Sequence, residues 1–544
     1  MGKRERKAVF KPYAQHQMSL LPQSLEDLIP KDHVVRLVND VIDKINLESI
    51  LSKYEGGGAS SYHPKLLLKV LIYGYMNNIY STRKLEDAVA QNIHFMWLAG
   101  MSKPDHNTIS RFRTGKLSGV FKEIFSQVVM MLVDAGHMDI KQIYTDGTKI
   151  ESSANRYTFV WGNAIKTSRE RISKQLEELW NHAEQVAKEE LSDTRPNTFT
   201  GLTPEQVEKT LDRIHEAIKD KPADKKVKQK VNYAKRNWPK NLESYEQKEE
   251  VLDGRNSFSK TDPEATFMRM KEDHMNNGQL KPGYNVQVSS TKEEFIAHYT
   301  IHQNPTDTKT LIPHITSFNQ HLATMPDLQV ADAGYGSEEN LMYLKKQGVT
   351  PYIKYSQFDR EQKKGNKARG EYHADTLHYD SEKDVFICPI GNLMYPSICT
   401  FQTLDSGHTQ RVVKYKTDCC RDCPLRMACN NGGESRTIGI NHNLRELKDE
   451  IKQHLNTKIG KEHRKTRAIV AEGIFGTIKG NWGFRRFLTK GLQKVEVETG
   501  LLAMAYNLKK WRKITQKELL SSALNQLLNQ IEPLLKTKLP QIAS

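Results

Sequence analysis

The chain has 544 residues, which is more than one hydrophobic core usually organises, so several domains or large insertions are expected. Hydrophobic residues make up 37% and charged residues 27%, and no apolar run approaches the roughly 20 residues of a membrane span, which argues against a membrane protein. The basic N-terminus has no apolar segment of a secretory signal, so a cytoplasmic protein is predicted. The formal net charge of +16 favours a polyanionic partner such as DNA or RNA, the alternative being a basic protein beside ribosomes or membranes.

Residues 1–138 have the periodicity of helices. Pro64 begins the run PKLLLKVLIYGYMNN, which is apolar on every side, as in a buried helix. Asp105 is predicted to cap the start of a later helix. Three consecutive helices with polar turns and basic surfaces resemble a helix-turn-helix DNA-binding layout, and a plain bundle used for dimerisation is an equal alternative. The basic side chains predicted on these surfaces are Arg83, Lys84, Arg111, Arg113 and Lys116.

From residue 139 onward, short β-branched runs alternate with helical segments, which predicts an α/β sheet. A Lys/Glu-rich helical segment and a polar segment with cysteines interrupt this pattern, and the last helix is predicted to be kinked or ended by Pro533. The predicted parts are a helical N-terminal DNA-binding or dimerisation domain, an α/β core in three segments, a helical insertion, a β/loop insertion and a helical tail. Their bounds are, in that order, residues 1–138; 139–165, 262–355 and 462–512; 166–261; 356–461; and 513–544.

Three acidic residues stand out by their context. Asp146 is predicted to close an apolar strand, and Asp332 to end another strand at a Gly-rich turn that allows close approach of a metal or phosphate. Glu472 lies on a predicted helix with Lys479 about 10 Å away on the same face. A lone acid at a strand end is usually a cap or a solvated turn. Three carboxylates on one surface could hold two Mg²⁺ (or Mn²⁺) ions that activate a water or 3′-hydroxyl and stabilise the leaving oxygen.

Longer blocks around these acids point to a known family. They are TDGTKIESSANRYTFVWG, VADAGYGSEENL and RAIVAEGIFGTIKGNWGF, accompanied near the N-terminus by SLLPQSLEDLIPKDHVVRLVNDVID and KPDHNTISRFR. Together they resemble bacterial insertion-sequence transposases of the DDE class. These proteins have a helical N-terminal domain and a ribonuclease-H-like catalytic core, an α/β fold with a mixed sheet flanked by helices. The resemblance extends over almost the whole chain.

The resemblance implies a DNA transposase that binds insertion-sequence ends and catalyses two-metal-ion strand cleavage and strand transfer. Asp146, Asp332 and Glu472 would be the catalytic triad and the ligands of Mg²⁺ or Mn²⁺. The implied partners are double-stranded DNA, as transposon ends and as target, and a second copy of the chain in the active complex. The protein would lie with the nucleoid in the bacterial cytoplasm.

The resemblance also implies DNA contacts. Lys479 stands where the family has a lysine, seven positions after the glutamate. A related signature has Arg and Tyr four and seven positions before the glutamate, but this chain has Ala468 and Lys465 there, so Arg467 is the predicted substitute. In the N-terminal domain, Arg111 and Arg113 are the predicted DNA contacts. Three further acids in recognisable blocks are predicted to be structural or capping residues, namely Asp262, Asp307 and Glu338.

All six cysteines lie between Cys388 and Cys429, a clustering typical of a metal site in a cytosolic chain. Cys420 and Cys423 have zinc-ligand spacing and, with Cys388 and Cys429, would complete a closed structural Zn²⁺ site. Cys419 could replace Cys420 as a ligand. The alternative is a group of reduced thiols without metal.

Two competing functions remain open. One is a nuclease of the same ribonuclease-H-like fold that cleaves nucleic acid without strand transfer. The other is a catalytically silent DNA-binding relic, which is disfavoured because all three carboxylates stand in intact blocks.

Overall fold

The computed structural model describes residues 24–55, 60–191, 195–222, 224–270, 278–362, 372–404 and 406–538. Predictions for the basic N-terminal segment before residue 24 lie outside these residues. Within the described ranges, no helix combines the length and apolar composition that a membrane crossing requires.

The N-terminal part of the described chain is helical, and a mixed α/β region follows it. The helices are α1 (Leu25–Leu28), α2 (Val34–Lys44), α3 (Glu48–Leu51), α4 (Pro64–Met76), α5 (Thr82–Gln91), α6 (Ile93–Leu98), α7 (His106–Arg111), α8 (Phe121–Asp134), α9 (Gly162–Val186), α10 (Lys188–Leu191), α11 (Pro204–Ile218), α12 (Lys225–Leu252), α13 (Leu311–Leu322), α14 (Glu338–Lys346), α15 (Phe358–Glu361), α16 (Arg426–Asn430), α17 (His442–Asn456), α18 (Lys458–Phe475) and α19 (Leu492–Lys538). The strands are β1 (Gln142–Glu151), β2 (Phe159–Trp161), β3 (Ser257–Ser259), β4 (Thr266–Arg269), β5 (Leu280–Ser290), β6 (Ile296–His302), β7 (Leu328–Ala331), β8 (Thr350–Ile353), β9 (His378–Asp380), β10 (Val385–Ile387), β11 (Leu393–Thr403), β12 (Thr409–Thr417) and β13 (Arg436–Ile440).

The N-terminal helices form where the apolar periodicity predicts them. Helix α4 is buried along nearly its whole length, and Pro64 occupies its first turn, where a missing N–H costs nothing. The Asp105 carboxylate accepts a hydrogen bond from the Thr108 N–H at 2.6 Å and so caps α7, as predicted. After α7 the chain forms a π-helical turn, Phe112–Lys116, before Gly119 takes a left-handed conformation and α8 begins.

A mixed sheet of six strands, counted over the described residues, lies at the centre of the molecule. Strand β1 is in its interior: it pairs with β5 in antiparallel fashion on one side and with β7 in parallel fashion on the other. Strand β8 extends the parallel side, and β4 and β6 both pair with the far edge of β5. This arrangement agrees with the predicted α/β sheet.

The N-terminal helices share one hydrophobic core with the sheet and with α19. Helix α19 packs on α4, α8 and β6. Gly500 allows this close approach, because a β-carbon there would lie 2.2 Å from the Tyr299 hydroxyl and 2.4 Å from the Phe121 ring. Helix α18 packs on β1, β7 and β8, so helices flank the sheet that bears the predicted aspartates.

Within the described residues, three further clusters of buried side chains lie outside this core: a small one at Val160 and Phe258, and two larger ones. One joins α9, α11 and α12 around Trp180, Leu211 and Trp238. The other lies on the five-stranded sheet β13-β12-β11-β10-β9, around Phe386 and Tyr415. The segments between β2 and β3 and after α15 therefore have small cores of their own.

The tail predicted to be a separate helix continues α19 instead. Helix α19 runs from Leu492 to Lys538 and passes through Pro533. Between residues 501 and 532 the sequence contains neither glycine nor proline, so nothing interrupts the helical hydrogen bonds.

Candidate active site

Asp146 and Asp332 lie side by side at one end of the parallel strand pair. The last registered pair of β1 and β7 is Tyr144 with Val330, and each aspartate follows two residues later along the chain. Neighbouring strands lie about 4.8 Å apart, so the register brings the two carboxylate-bearing segments together.

The expectation that Asp146 closes its strand is wrong. Strand β1 continues to Glu151, because Asp146 and the five residues after it remain paired with β5, beginning with Asp146 opposite Val288. The parallel partner β7 ends sooner, at Ala331. The end of β7, rather than the end of β1, therefore opens the space in front of Asp146, which is partly exposed there.

Asp332 is the residue at which β7 turns away. Its Oδ1 accepts a hydrogen bond from the Gly334 N–H at 2.8 Å and caps the short 3₁₀ turn Ala333–Tyr335. A β-carbon at Gly334 would lie 3.0 Å from that oxygen and 3.6 Å from Oδ2 of Asp307. The glycine therefore lets two carboxylates approach the same turn.

Asp307, which the sequence predicts to be a structural or capping residue, is a third carboxylate at this place. Its Oδ1 accepts hydrogen bonds from Asn285 Nδ2 at 2.8 Å and from Gln287 Nε2 at 2.9 Å. A β-carbon at Gly147 would lie 2.8 Å from the same oxygen, so Asp307 touches the residue next to Asp146. Asp307 thereby supplies an acceptor to two buried amides in alternate positions of β5, which is a structural role.

The pKa of the buried Tyr335 phenol depends on all of these charges. Burial raises the pKa of Tyr335 well above its usual value, and the negative charges of Asp307, Asp146 and Asp332 raise it further, while Arg467 opposes them. One side chain therefore has three carboxylates and one guanidinium in its electrostatic neighbourhood.

Helix α18 brings Arg467 to this group. Its Nη1 lies 3.9 Å from Asp146 Oδ1, and the two side chains are 20% and 14% exposed. The arginine that was predicted to substitute for the family's arginine is therefore beside the predicted first aspartate.

Glu472 is on the same helix but faces solvent. The buried side of α18 comprises Gly460, His463, Val470, Ala471 and Ile474. Glu472 follows Arg467 by five residues, a rotation of about 140° at 3.6 residues per turn, and is exposed. Among the described residues, no three His, Cys, Asp or Glu side chains have a geometry that could hold a metal ion. Asp146, Asp332 and Asp307 all act on the pKa of Tyr335, but they do not form such a group.

Lys479 does not share the face of Glu472, contrary to the helical-wheel expectation. It lies in a π-helical turn, Gly476–Asn481, in which each hydrogen bond spans five residues instead of the four of an α-helix. Its side chain is buried, and Nζ donates a hydrogen bond to the Lys149 carbonyl of β1 at 2.8 Å.

Of the two arginines predicted to contact DNA from the N-terminal region, only Arg111 is exposed. The prediction that Arg113 lies on the surface is wrong, because the π-helical turn directs it inward. Its Nη1 donates to the Tyr80 carbonyl at 2.8 Å and to the Tyr75 hydroxyl at 3.3 Å, and lies 4.0 Å from Oε1 of the fully buried Glu498. Arg113 therefore connects the N-terminal helices to α19.

The thiols predicted to bind zinc converge on one small pocket. They come from the end of β10, the turn after β12 and α16, and are Cys388, Cys420, Cys423 and Cys429. Cys429 Sγ accepts a hydrogen bond from Arg436 Nη1 at 2.8 Å, and Cys388 Sγ accepts one from the Asn392 N–H at 3.2 Å. Burial raises the pKa of Cys420, as do the charges of the other three thiols. Cys419 lines the same pocket but is exposed.

Comparison with known families gives two matches. Residues 23–115 match a family model described as Transposase domain (DUF772), and residues 387–512 match one described as Transposase DDE domain. Both support an insertion-sequence DDE transposase. The resemblance stated from the sequence blocks is thereby confirmed. Neither the curated proteins nor the solved structures contain a significant match to the chain.

The two transposase matches cover different sets of predicted functional residues. The first spans α1 to the π-helical turn that contains Arg113, and the second includes Glu472, Lys479 and the cysteines. Asp146 and Asp332 lie outside both. Transposase domains imply DNA as the partner and an enzyme that acts on it.

Proposed function

We propose that the chain is a DNA transposase that binds insertion-sequence ends and catalyses metal-dependent strand cleavage and strand transfer in a ribonuclease-H-like core. The observation that supports it most is the meeting of Asp146 and Asp332 beyond the last β1–β7 pair, with Asp307 and Arg467 beside them. The mixed sheet flanked by helices is compatible with that core. The active complex contains double-stranded DNA and two copies of the chain, at the nucleoid in the cytoplasm.

The donors at this place suit a hard divalent cation. Asp146, Asp332 and Asp307 provide carboxylate oxygens, the ligands that Mg²⁺ and Mn²⁺ prefer. When bound, two such ions supply an activated water or 3′-hydroxyl and a stabilised leaving oxygen. Arg467 places a positive charge beside Asp146, where it can contact an incoming phosphate.

Glu472 completes the proposed triad only after a rearrangement of α18. Its carboxylate points to solvent, while the aspartates lie on the sheet side of the helix. The π-helical turn directly after α18 is a place where helical register can change. Rotation of the last turn of α18 upon DNA binding would carry Glu472 towards Asp146 and Asp332.

The cysteine pocket is a separate proposal, a structural Zn²⁺ site. Four thiols line one pocket, and four thiolates leave no coordination position open for catalysis. Bound zinc would hold the end of β10 to the turn after β12 and to α16. The alternative, a group of reduced thiols, predicts protein without metal.

The test is a strand-transfer assay. The full-length protein is incubated with Mg²⁺, target DNA and a DNA fragment bounded by the inverted repeats that bracket its reading frame. A transposase yields cleaved ends and joined products, and Asp146→Asn yields neither. Cleaved ends without joined products would establish the nuclease alternative, and end binding without cleavage the silent relic.

A further inference from the structure

An open groove runs between α19 and the end of α18, with the N-terminal helices at its rim. We call it the α19 groove. Gly473 and Thr477 form one wall, directly beside Glu472, and Trp482 and Tyr506 contribute aromatic rings. The groove therefore starts beside Glu472, the third member of the proposed triad.

The other wall is basic. Four cations of α19 line it, namely Lys509, Lys510, Arg512 and Lys513. Two have carboxylate partners: Lys510 Nζ lies 2.6 Å from Glu294, and Arg512 Nη2 lies 3.1 Å from Asp32. Lys509 and Lys513 have no ion-pair partner within the described residues. The groove thus has two uncompensated positive charges.

The positions of Lys509 and Lys513 are electrostatically unfavourable. They are four residues apart on one helix, so they face the same side and repel each other. Lys509 is only partly exposed and lies 4.7 Å from the centre of the Trp482 ring. Burial and the charge of Lys513 both lower the pKa of Lys509. An anion bound between the lysines would remove the repulsion.

The opposite wall leaves backbone accessible. On this side the groove is lined by Gly473, Thr477 and Asn481, of which Gly473 has no side chain. A β-carbon at Gly473 would have no atom within 4 Å, so the space in front of it is open. A phosphate can therefore approach the backbone at Gly473 closely while it lies against the lysines.

We propose that the α19 groove binds the phosphate backbone of the DNA strand next to the active site, with Lys509 and Lys513 as its phosphate contacts. The proposal rests on the proposed function, and it adds α19 to the DNA contacts that the sequence predicts in residues 1–138, at Arg467 and at Lys479. A phosphate backbone fits, because two uncompensated cations line the groove together with Gly473, which has no side chain to block an approaching anion.

The test is the salt dependence of DNA binding by the full-length double variant Lys509→Gln/Lys513→Gln. The matched control is Lys225→Gln/Lys226→Gln, which removes the same charge from two exposed lysines at the start of α12. For the groove variant, affinity for end-containing duplex should fall roughly tenfold at moderate salt, and the slope of log K against log salt should become shallower by about two. The variant Lys509→Arg/Lys513→Arg should restore both.

A groove variant whose affinity and slope match those of the control would overturn the proposal. The outcome is separable from that of the proposed function. Wild-type protein that joins strands while the groove variant binds like the control refutes the groove alone. Wild-type protein that binds DNA through these lysines but neither cuts nor joins refutes the transposase and leaves the groove established.

Discussion

Nη1 of Arg467 on α18 lies 3.9 Å from Oδ1 of Asp146 on β1. The pair links the helix that bears Glu472 to the strand that bears the first aspartate. Because both side chains are partly exposed, the guanidinium is available to a DNA phosphate as well as to the carboxylate.

Removing that guanidinium should impair catalysis more than binding. In Arg467→Ala we expect strand cleavage to fall by about 10²-fold, which is typical for the loss of one oriented charge in an active site. Single-turnover cleavage at saturating protein measures it, and Arg467→Lys should recover only part, because a lysine cannot reproduce the planar fork. An unchanged cleavage rate in Arg467→Ala would show that the arginine has no role in catalysis.

The acidic residues should be indispensable for chemistry but not for binding. Asp146→Asn, Asp332→Asn and Glu472→Gln keep the shape of each side chain and remove its charge, so each should abolish cleavage and joining while end binding persists. Cleavage assays with Mg²⁺ and Mn²⁺, beside gel-shift binding, provide the comparison. Any one variant that retains more than a few per cent of metal-dependent activity removes its residue from the triad. For Glu472 this outcome would also count against the proposed rotation of α18.

Asp307 should matter to both activity and stability. In Asp307→Ala the amides of Asn285 and Gln287 lose their shared acceptor, and the free energy of unfolding should fall by about 1–3 kcal/mol. Asp307→Asn keeps an acceptor, so it should be less destabilised and yet lose most activity if the charge is needed beside Asp146. Denaturant unfolding and cleavage, measured on the same samples, separate the two effects. Full activity of Asp307→Asn would leave Asp307 a purely structural residue.

Arg113 should act through folding and not through DNA. Arg113→Met leaves the buried carboxylate of Glu498 without its cation, which typically costs about 3–5 kcal/mol. The exposed Arg111, two residues earlier, is the matched control: Arg111→Met should leave stability unchanged and weaken DNA binding modestly. Thermal unfolding and DNA affinity per folded molecule distinguish these cases. Normal stability with selectively lost DNA binding in Arg113→Met would contradict the burial.

The cysteine pocket should contain metal. Protein purified without added zinc should have about one Zn²⁺ per chain, and Cys423→Ser should lose it and become protease-sensitive between residues 386 and 430. Cys399→Ser is the control, since Cys399 is exposed and accepts its hydrogen bond from Arg411. Metal-free wild-type protein with a protease-resistant segment would mean that the thiols are simply packed.

Local patterns in the sequence determined much of this protein. The uniformly apolar run after Pro64 specifies a buried helix, Asp105 specifies a helix start, and the blocks around Asp146, Asp332 and Glu472 carry the family resemblance. These features depend on neighbours a few residues away, which is the range over which helical periodicity and capping act.

The tertiary structure decided which side chains meet. Asp307 reaches the aspartates because β5 presents Asn285 and Gln287 beneath it, and no spacing in the sequence encodes that approach. Lys479 and Arg113 turn inward because π-helical turns insert one extra residue where an α-helix was assumed. Strand β1 continues beyond Asp146 because β5 still pairs with it after β7 has ended. Such outcomes depend on packing between segments distant in sequence, so the residue pattern of any one segment cannot specify them.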